Sequence, residues 1–291
     1  MLESLSLYYT KDTAICAVYS EYYKPGVSMS DNLLKLKKLL PYGEVASRSW
    51  LLAQGFSHHT LDNFIKSRKL QIVMSGIYAW SDTKLFWQNV AASRARLPDA
   101  TFVVGGITAL SLQGFSHYLE MGNKKVHLYT DKTRQTTLKH LFATIDNIQA
   151  VWHATGRLWS GDNNSDLFVK NWKWQENSSE IVISTPERAV LEMLELVPMQ
   201  LSFEHADGIF QGLTQLSPEN LKVVLKGCRN VKVKRLFFWF SDRHNYPWRK
   251  YLNDKDFSLG SGKRVICKNG TLDSKYLITV PSELQSGNQY A

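Results

Sequence analysis

The stretch from Phe56 to Trp80 constrains the fold more than any other, because a capped amphipathic helix runs directly into a tight β-hairpin. Ser57 has the side chain of an N-cap, able to accept an orphan N–H of the first turn, and Phe56 before it can pack on Leu61 to fix where the helix starts. Leu61, Phe64 and Ile65 then recur at helical spacing on one face. The opposite face holds His59, Asn63 and Lys66, with Thr60 and Ser67 at its edge, the short polar and basic side chains that read base edges and bind phosphate. Leu70–Met74 and Ile77–Trp80 are apolar, β-branched and aromatic runs separated only by Ser75 and Gly76. A glycine there supplies the positive φ that a two-residue hairpin loop requires.

The residues upstream complete a pattern. Asp31-Asn32 precede Leu33, Leu36, Leu39 and Leu40, an amphipathic helix with Lys35, Lys37 and Lys38 outward, which Pro41-Tyr42-Gly43 stops. Ser47 is suited to cap a short second helix holding Trp50, Leu51 and Leu52 and ended by Gly55. Helix, short helix, helix with a polar outer face, then hairpin is the order of a winged helix-turn-helix, whose third helix enters the major groove while the wing follows the backbone. Residues 29–82 are thus expected to form a DNA-binding domain, with Arg48, Ser57, His58, His59, Thr60, Asn63, Lys66, Ser67 and Lys69 at the duplex and Arg48 facing phosphate. Modules of this shape also bind only proteins, so charge has to weigh in.

The formal charge of +9 is unevenly spread. Residues 29–82 carry seven basic against four acidic side chains and residues 226–270 twelve against three, whereas residues 83–225 are slightly acidic. Local positive charge attracts a polyanion, and in a cytosol the usual one is duplex nucleic acid; an acidic protein surface and plain solvation are the alternatives. Within the second segment Lys232, Lys234, Arg235, Lys263 and Arg264 are expected to form a second basic surface. Three scattered cysteines, Cys16, Cys228 and Cys267, offer neither a disulfide framework nor zinc-ligand spacing. No apolar run approaches the roughly 18 residues of a membrane span, and the N-terminus lacks a basic region followed by a long apolar core. A cytoplasmic chain with no metal, no cofactor and no membrane partner is the expectation.

The architecture expected is α+β, an N-terminal winged helix-turn-helix followed by a larger mixed α/β C-terminal domain. Residues 1–28 form an N-terminal extension without sustained periodicity, 83–98 a connecting helix (Leu85 to Arg96, ended by Pro98), 99–281 the C-terminal domain and 282–291 a polar tail. In the larger domain, the strand from Thr101 to Val104 running into Gly105-Gly106 and a helix is what nucleotidyltransferases use to bring backbone N–H groups close to a nucleotide phosphate. That chemistry also needs two or three carboxylates for Mg²⁺ on a following strand. Val126–Thr130 instead carries His127 and Tyr129, with only Asp131 nearby, so the glycines are expected to allow tight helix-on-strand packing and the chain is not expected to be an enzyme. Ser184-Thr185-Pro186-Glu187 has the signals of a helix start, leaving Arg188 to pair with a carboxylate or carbonyl. Leu236–Phe240 beside Lys232, Lys234 and Arg235 is either a single-strand stacking platform or a core helix with a charged shoulder, and the second is expected.

Taken together, the segments resemble the AbiEi family of antitoxins and transcriptional regulators from about Met29 to Pro281. Besides Gly55-Phe56-Ser57 and Ser75-Gly76-Ile77-Tyr78, the strings that carry the resemblance are Val104-Gly105-Gly106-Ile107-Thr108-Ala109-Leu110, Ser184-Thr185-Pro186-Glu187-Arg188-Ala189-Val190-Leu191-Glu192, Leu259-Gly260-Ser261-Gly262-Lys263-Arg264 and Tyr276-Leu277-Ile278-Thr279-Val280-Pro281, in that order. The resemblance implies an antitoxin of a type IV toxin–antitoxin pair that represses its own operon by binding inverted-repeat DNA through the winged helix. It also implies a C-terminal domain that opposes a nucleotidyltransferase-like toxin, with or without a stable complex. A stand-alone winged-helix transcription factor is the alternative. Residues 1–28 depart from the family's usual start.

Overall fold

The computed structural model describes residues 31–115, 124–132, 135–159 and 168–285; the expected extension over residues 1–28 lies outside them. The chain divides into two units, residues 1–39 and 40–291. The first contributes helix α1 (Asp31–Leu39), with Asp31 in its first turn and Lys37 and Lys38 in its last, the charge order that the helix dipole favours.

The second unit begins with β1 (Val45–Ser47), α2 (Arg48–Ala53), α3 (His58–Lys66), β2 (Leu70–Met74) and β3 (Ile77–Trp80). Both expected caps form: Ser47 Oγ accepts Trp50 N–H at 3.2 Å and Ser57 Oγ accepts Thr60 N–H at 3.1 Å. Strands β2 and β3 pair antiparallel across Ser75-Gly76, with Gly76 at φ +75°, and a register shift after Ile72 marks a bulge. β1 joins as a third strand on β3, pairing Val45 with Ala79 and Ser47 with Ile77. Sequence patterning did not announce it, because all three of its residues are buried and no alternation is left to see.

The connecting helix is shorter than expected. α4 (Trp87–Ala92) ends at Ser93, followed by one 3₁₀ turn over Arg94–Arg96. Ser93 Oγ bonds back to Asn89 O at 2.6 Å and accepts Val45 N–H at 2.8 Å, so the serine leaves the helix path to hold the edge of β1.

Then come β4 (Val103–Val104), α5 (Gly106–Leu112), β5 (Lys124–Thr130), α6 (Thr136–Ala143), β6 (Ile148–Ala154), β7 (Val169–Trp172), β8 (Ile181–Ser184) and α7 (Pro186–Glu195). The strands form one mixed sheet in the order β6-β5-β4-β8-β7, parallel at β5/β6 and β4/β8 and antiparallel at β4/β5 and β7/β8. Helices α8 (Phe203–Gln211), α9 (Pro218–Gly227) and α10 (Val231–Arg243), a two-stranded ribbon of β9 (Thr271–Asp273) and β10 (Ile278–Val280), and α11 (Ser282–Gln285) complete the unit. The fold is thus mixed α+β. Among the described residues, no helix is long and apolar enough to cross a membrane.

α10 is buried without a break from Val233 to Ser241, charged side chains included, which places it within the core. Leu236, Phe237, Phe238 and Phe240 are fully buried, and Phe240 stacks on Phe210 with ring centroids 4.9 Å apart. The aromatic run is therefore core and offers no platform for bases. Val45, Ile77 and Ala79 belong to the same continuous apolar cluster as Trp87, Val90 and the five-stranded sheet, so the core does not break near residue 82.

The expected second basic surface does not form as such. Lys234 and Arg235 are buried. Arg235 donates to the carbonyls of Leu259, Gly262 and Leu277 at 2.7, 2.8 and 3.2 Å, and Lys232 Nζ donates to Glu195 O and Val197 O at 2.9 and 2.6 Å. The positive charge of Lys232 and Arg235 satisfies carbonyls at loop and helix ends; only Lys263 and Arg264 of the five are exposed.

Candidate nucleic-acid interface

α3 is fixed from inside by Leu61 and Phe64, both buried, and Phe56 meets Phe64 edge-on at 6.3 Å. Outward it presents His58, His59, Asn63 and Lys66, continued by Ser67, Arg68 and Lys69, all exposed. Asn63 Nδ2 lies 3.3 Å from His59 Nδ1, one helical turn away, so the two side chains form a polar rung. Ser57 and Thr60 stand apart from this face: their hydroxyls hold each other at 2.9 Å as part of the cap. Arg68 was not singled out from the sequence, yet it is exposed at φ +54° in the turn that carries α3 into β2. The signal available for it was the run Lys66-Ser67-Arg68-Lys69.

Arg48 does not stand free to face phosphate. Its guanidinium donates to Tyr78 Oη at 3.0 Å and to Asp62 Oδ1 at 2.9 Å, with Nε 3.3 Å from His58 Nδ1. The hydrogen bond to Tyr78, then that to Asp62, holds its pKa above the ordinary arginine value. Arg48 therefore ties the start of α2 to α3 and to β3, and it acts on the outer face by positioning α3.

A second tie was invisible in the sequence. The carboxylate of Glu44, fully buried, accepts Ser179 N–H at 2.6 Å and pairs with Arg96. Arg96 in turn donates to Ser179 Oγ at 2.9 Å and lies over the Trp50 ring at 5.7 Å. β1 and α2 are thereby bound to the loop before β8.

The Gly105-Gly106 loop connects β4 to α5 as expected, and its donor is already taken. Gly106 N–H donates to Glu192 Oε2 at 2.9 Å, while the other oxygen of Glu192 accepts Arg188 Nε at 2.7 Å. A Cβ on Gly105 would lie 2.3 Å from Glu192 Oε2 and 2.5 Å from the Tyr129 ring, so only glycine permits this packing. Tyr129 Oη donates to Glu192 O at 3.1 Å. α7 begins with Thr185 and Pro186 as its sequence implies, and Glu187 accepts Ser217 N–H at 3.0 Å. Glu187 and Arg188 are thus each engaged with a partner inside the fold.

On β5 and β6, His127 Nδ1 and His153 Nε2 share a hydrogen bond at 2.9 Å, and Tyr129 stacks on His153 at 4.7 Å. Burial pushes both imidazoles down to about 4, with Lys125 adding for His127 and His127 and Arg157 for His153. Both are neutral at pH 7, so of the two facing ring nitrogens one carries the proton and donates while the other accepts. Among the described residues, no group of three or more His, Cys, Asp or Glu side chains is arranged to hold a metal ion.

Comparison with known proteins matches two adjoining segments of the chain. Residues 29–121 match the N-terminal domain of the AbiEi antitoxin transcriptional regulators, and residues 123–281 match the transcriptional regulator, AbiEi antitoxin of type IV toxin–antitoxin systems. A crystal structure of the RV2827C protein from Mycobacterium tuberculosis is similar in fold, with 14% identity, a TM-score of 0.52, and 81% of this chain and 85% of that one covered. No curated protein matches the chain. With matched segments spanning residues 29–281, the chain belongs to the AbiEi family of antitoxin transcriptional regulators of type IV toxin–antitoxin systems.

Proposed function

We propose that this chain represses its own operon by laying α3 in the major groove of an inverted-repeat operator, with the β2–β3 hairpin as a wing along the backbone. The observation that carries this reading is the outer face of α3. His59, Asn63 and Lys66 are exposed on a helix whose start, inner face and orientation are all fixed, and Arg68 and Lys69 extend the positive charge toward the hairpin. Asn63 is the side chain of the set that can bond a base edge bidentately, and the lysines and Arg68 are phosphate contacts. In the cytoplasm the C-terminal part acts as the antitoxin, opposing a nucleotidyltransferase-like toxin without being a transferase itself. The buried His127, Tyr129 and His153, and a Gly-Gly loop whose N–H is held by Glu192, support that last point.

Gel-shift titration of the full chain against the region upstream of its gene tests the reading. Asn63→Ala is expected to relax specificity at one base position by about 1–3 kcal/mol, and Lys66→Ala to weaken every sequence alike and lower the salt dependence by about one phosphate. Wild-type affinity in the Asn63→Ala, Lys66→Ala double variant would remove α3 from the interface.

A further inference from the structure

We propose that a cavity between α7 and α9 binds a small apolar carboxylate. The cavity encloses about 250 Å³, and its walls are Trp159, Phe168, Arg188, Val223, Val224 and the side-chain-free face of Gly227. That is slightly below the usual size of drug-sized ligand sites and suits a smaller molecule, and its lining has their composition, apolar with a few convergent polar groups.

The polar groups fix the ligand's chemistry. Trp159 is buried, and among the described residues nothing accepts a hydrogen bond from its indole N–H. A buried donor left without a partner costs about 1–3 kcal/mol, which an acceptor on a ligand would recover. Arg188, also buried and paired through Nε with Glu192 at 2.7 Å, lies over the same indole at 5.5 Å, and Lys226 is exposed at the rim. Indole, guanidinium and ammonium are all donors, and none can accept. Among the described residues, no acidic side chain lines the cavity. The head group must therefore be an acceptor, and because Glu192 already balances Arg188 it is the ammonium of Lys226 that favours a carboxylate over a neutral amide and disfavours an amine. The body must suit Phe168, Val223 and Val224, which asks for a ring or a branched hydrocarbon. Phe168 is held at φ +58°, a conformation a bulky residue adopts only when its surroundings impose it, and Thr185 N–H bonds its carbonyl at 2.9 Å. None of these residues belongs to the α3 face, so the site is separate from the proposed DNA contact.

Ligand-observed NMR and thermal shift on the full chain test the site, with phenylacetate, indole-3-acetate and isovalerate as probes and phenylacetamide and phenethylamine as controls. At least one carboxylate is expected to bind saturably at one site, the amide about tenfold more weakly and the amine not at all. Trp159→Phe, which keeps the ring and removes the donor, should weaken binding about tenfold. Val223→Phe, at a half-exposed position on the wall, should obstruct the cavity while leaving the fold intact by circular dichroism. The proposal is overturned if no carboxylate binds at millimolar concentration, if the amine binds as well as the carboxylates, or if both folded variants bind like the parent.

Discussion

The side chain of Glu44 accepts the backbone N–H of Ser179 at 2.6 Å across 135 positions of sequence, and the same carboxylate holds Arg96. A fully buried carboxylate is tolerated only with such partners, because an unpaired charge away from water is costly. Glu44→Ala strands both the guanidinium of Arg96 and the N–H of Ser179. Urea denaturation should show a loss of about 3–5 kcal/mol, the cost typical of breaking a buried pair, with Glu44→Gln retaining part of it. A loss below about 1 kcal/mol would mean that this contact does not anchor β1.

The Gly-Gly loop gives a steric prediction. Gly105→Ala would press a methyl group into the Glu192 carboxylate and the Tyr129 ring, both of which are themselves held by hydrogen bonds. Stability should fall by about 1–3 kcal/mol or more, read as a lowered thermal midpoint. An unchanged midpoint would show that the loop is loose.

The histidine pair sets a pH dependence. Both folded-state values, about 4, lie below the unfolded value near 6.5, so the unfolded chain binds more protons between these limits. Their contribution is fully present above pH 6.5 and is lost as pH falls through the range toward 4. The thermal midpoint should therefore drop as pH is lowered from 6.5 to 4, and His153→Gln should flatten that part of the curve. Parallel curves for the parent and the variant would place the loss elsewhere.

Within the basic segment, sequence neighbours should behave oppositely. Arg235→Ala removes the donor from three carbonyls and should cost about 2–4 kcal/mol in chemical denaturation. Neutralising the exposed Lys263 and Arg264 should change stability by no more than about 0.5 kcal/mol. Equal effects would contradict the inward role of Arg235.

What the sequence settled by itself is what short-range chemistry encodes. Ser47 and Ser57 as caps, the Leu61/Phe64 stripe, the Ser75-Gly76 hairpin and the Thr185-Pro186 helix start each depend on residues within about one turn, so their signals are contiguous. The tight packing at Gly105-Gly106 was legible for the same reason, since only a missing side chain explains such a pair, but its partner Glu192 lies 86 residues on. Tertiary structure alone decided the rest. β1 gives no alternation because both its faces are covered. Arg48 is indistinguishable in sequence from a phosphate contact until Asp62 and Tyr78 are brought to it. Lys232 and Arg235 look like solvent charge until the carbonyl ends of other elements arrive around them. A charged side chain has the same local signature whether it meets water, a ligand or a distant backbone oxygen, and only the fold chooses among the three.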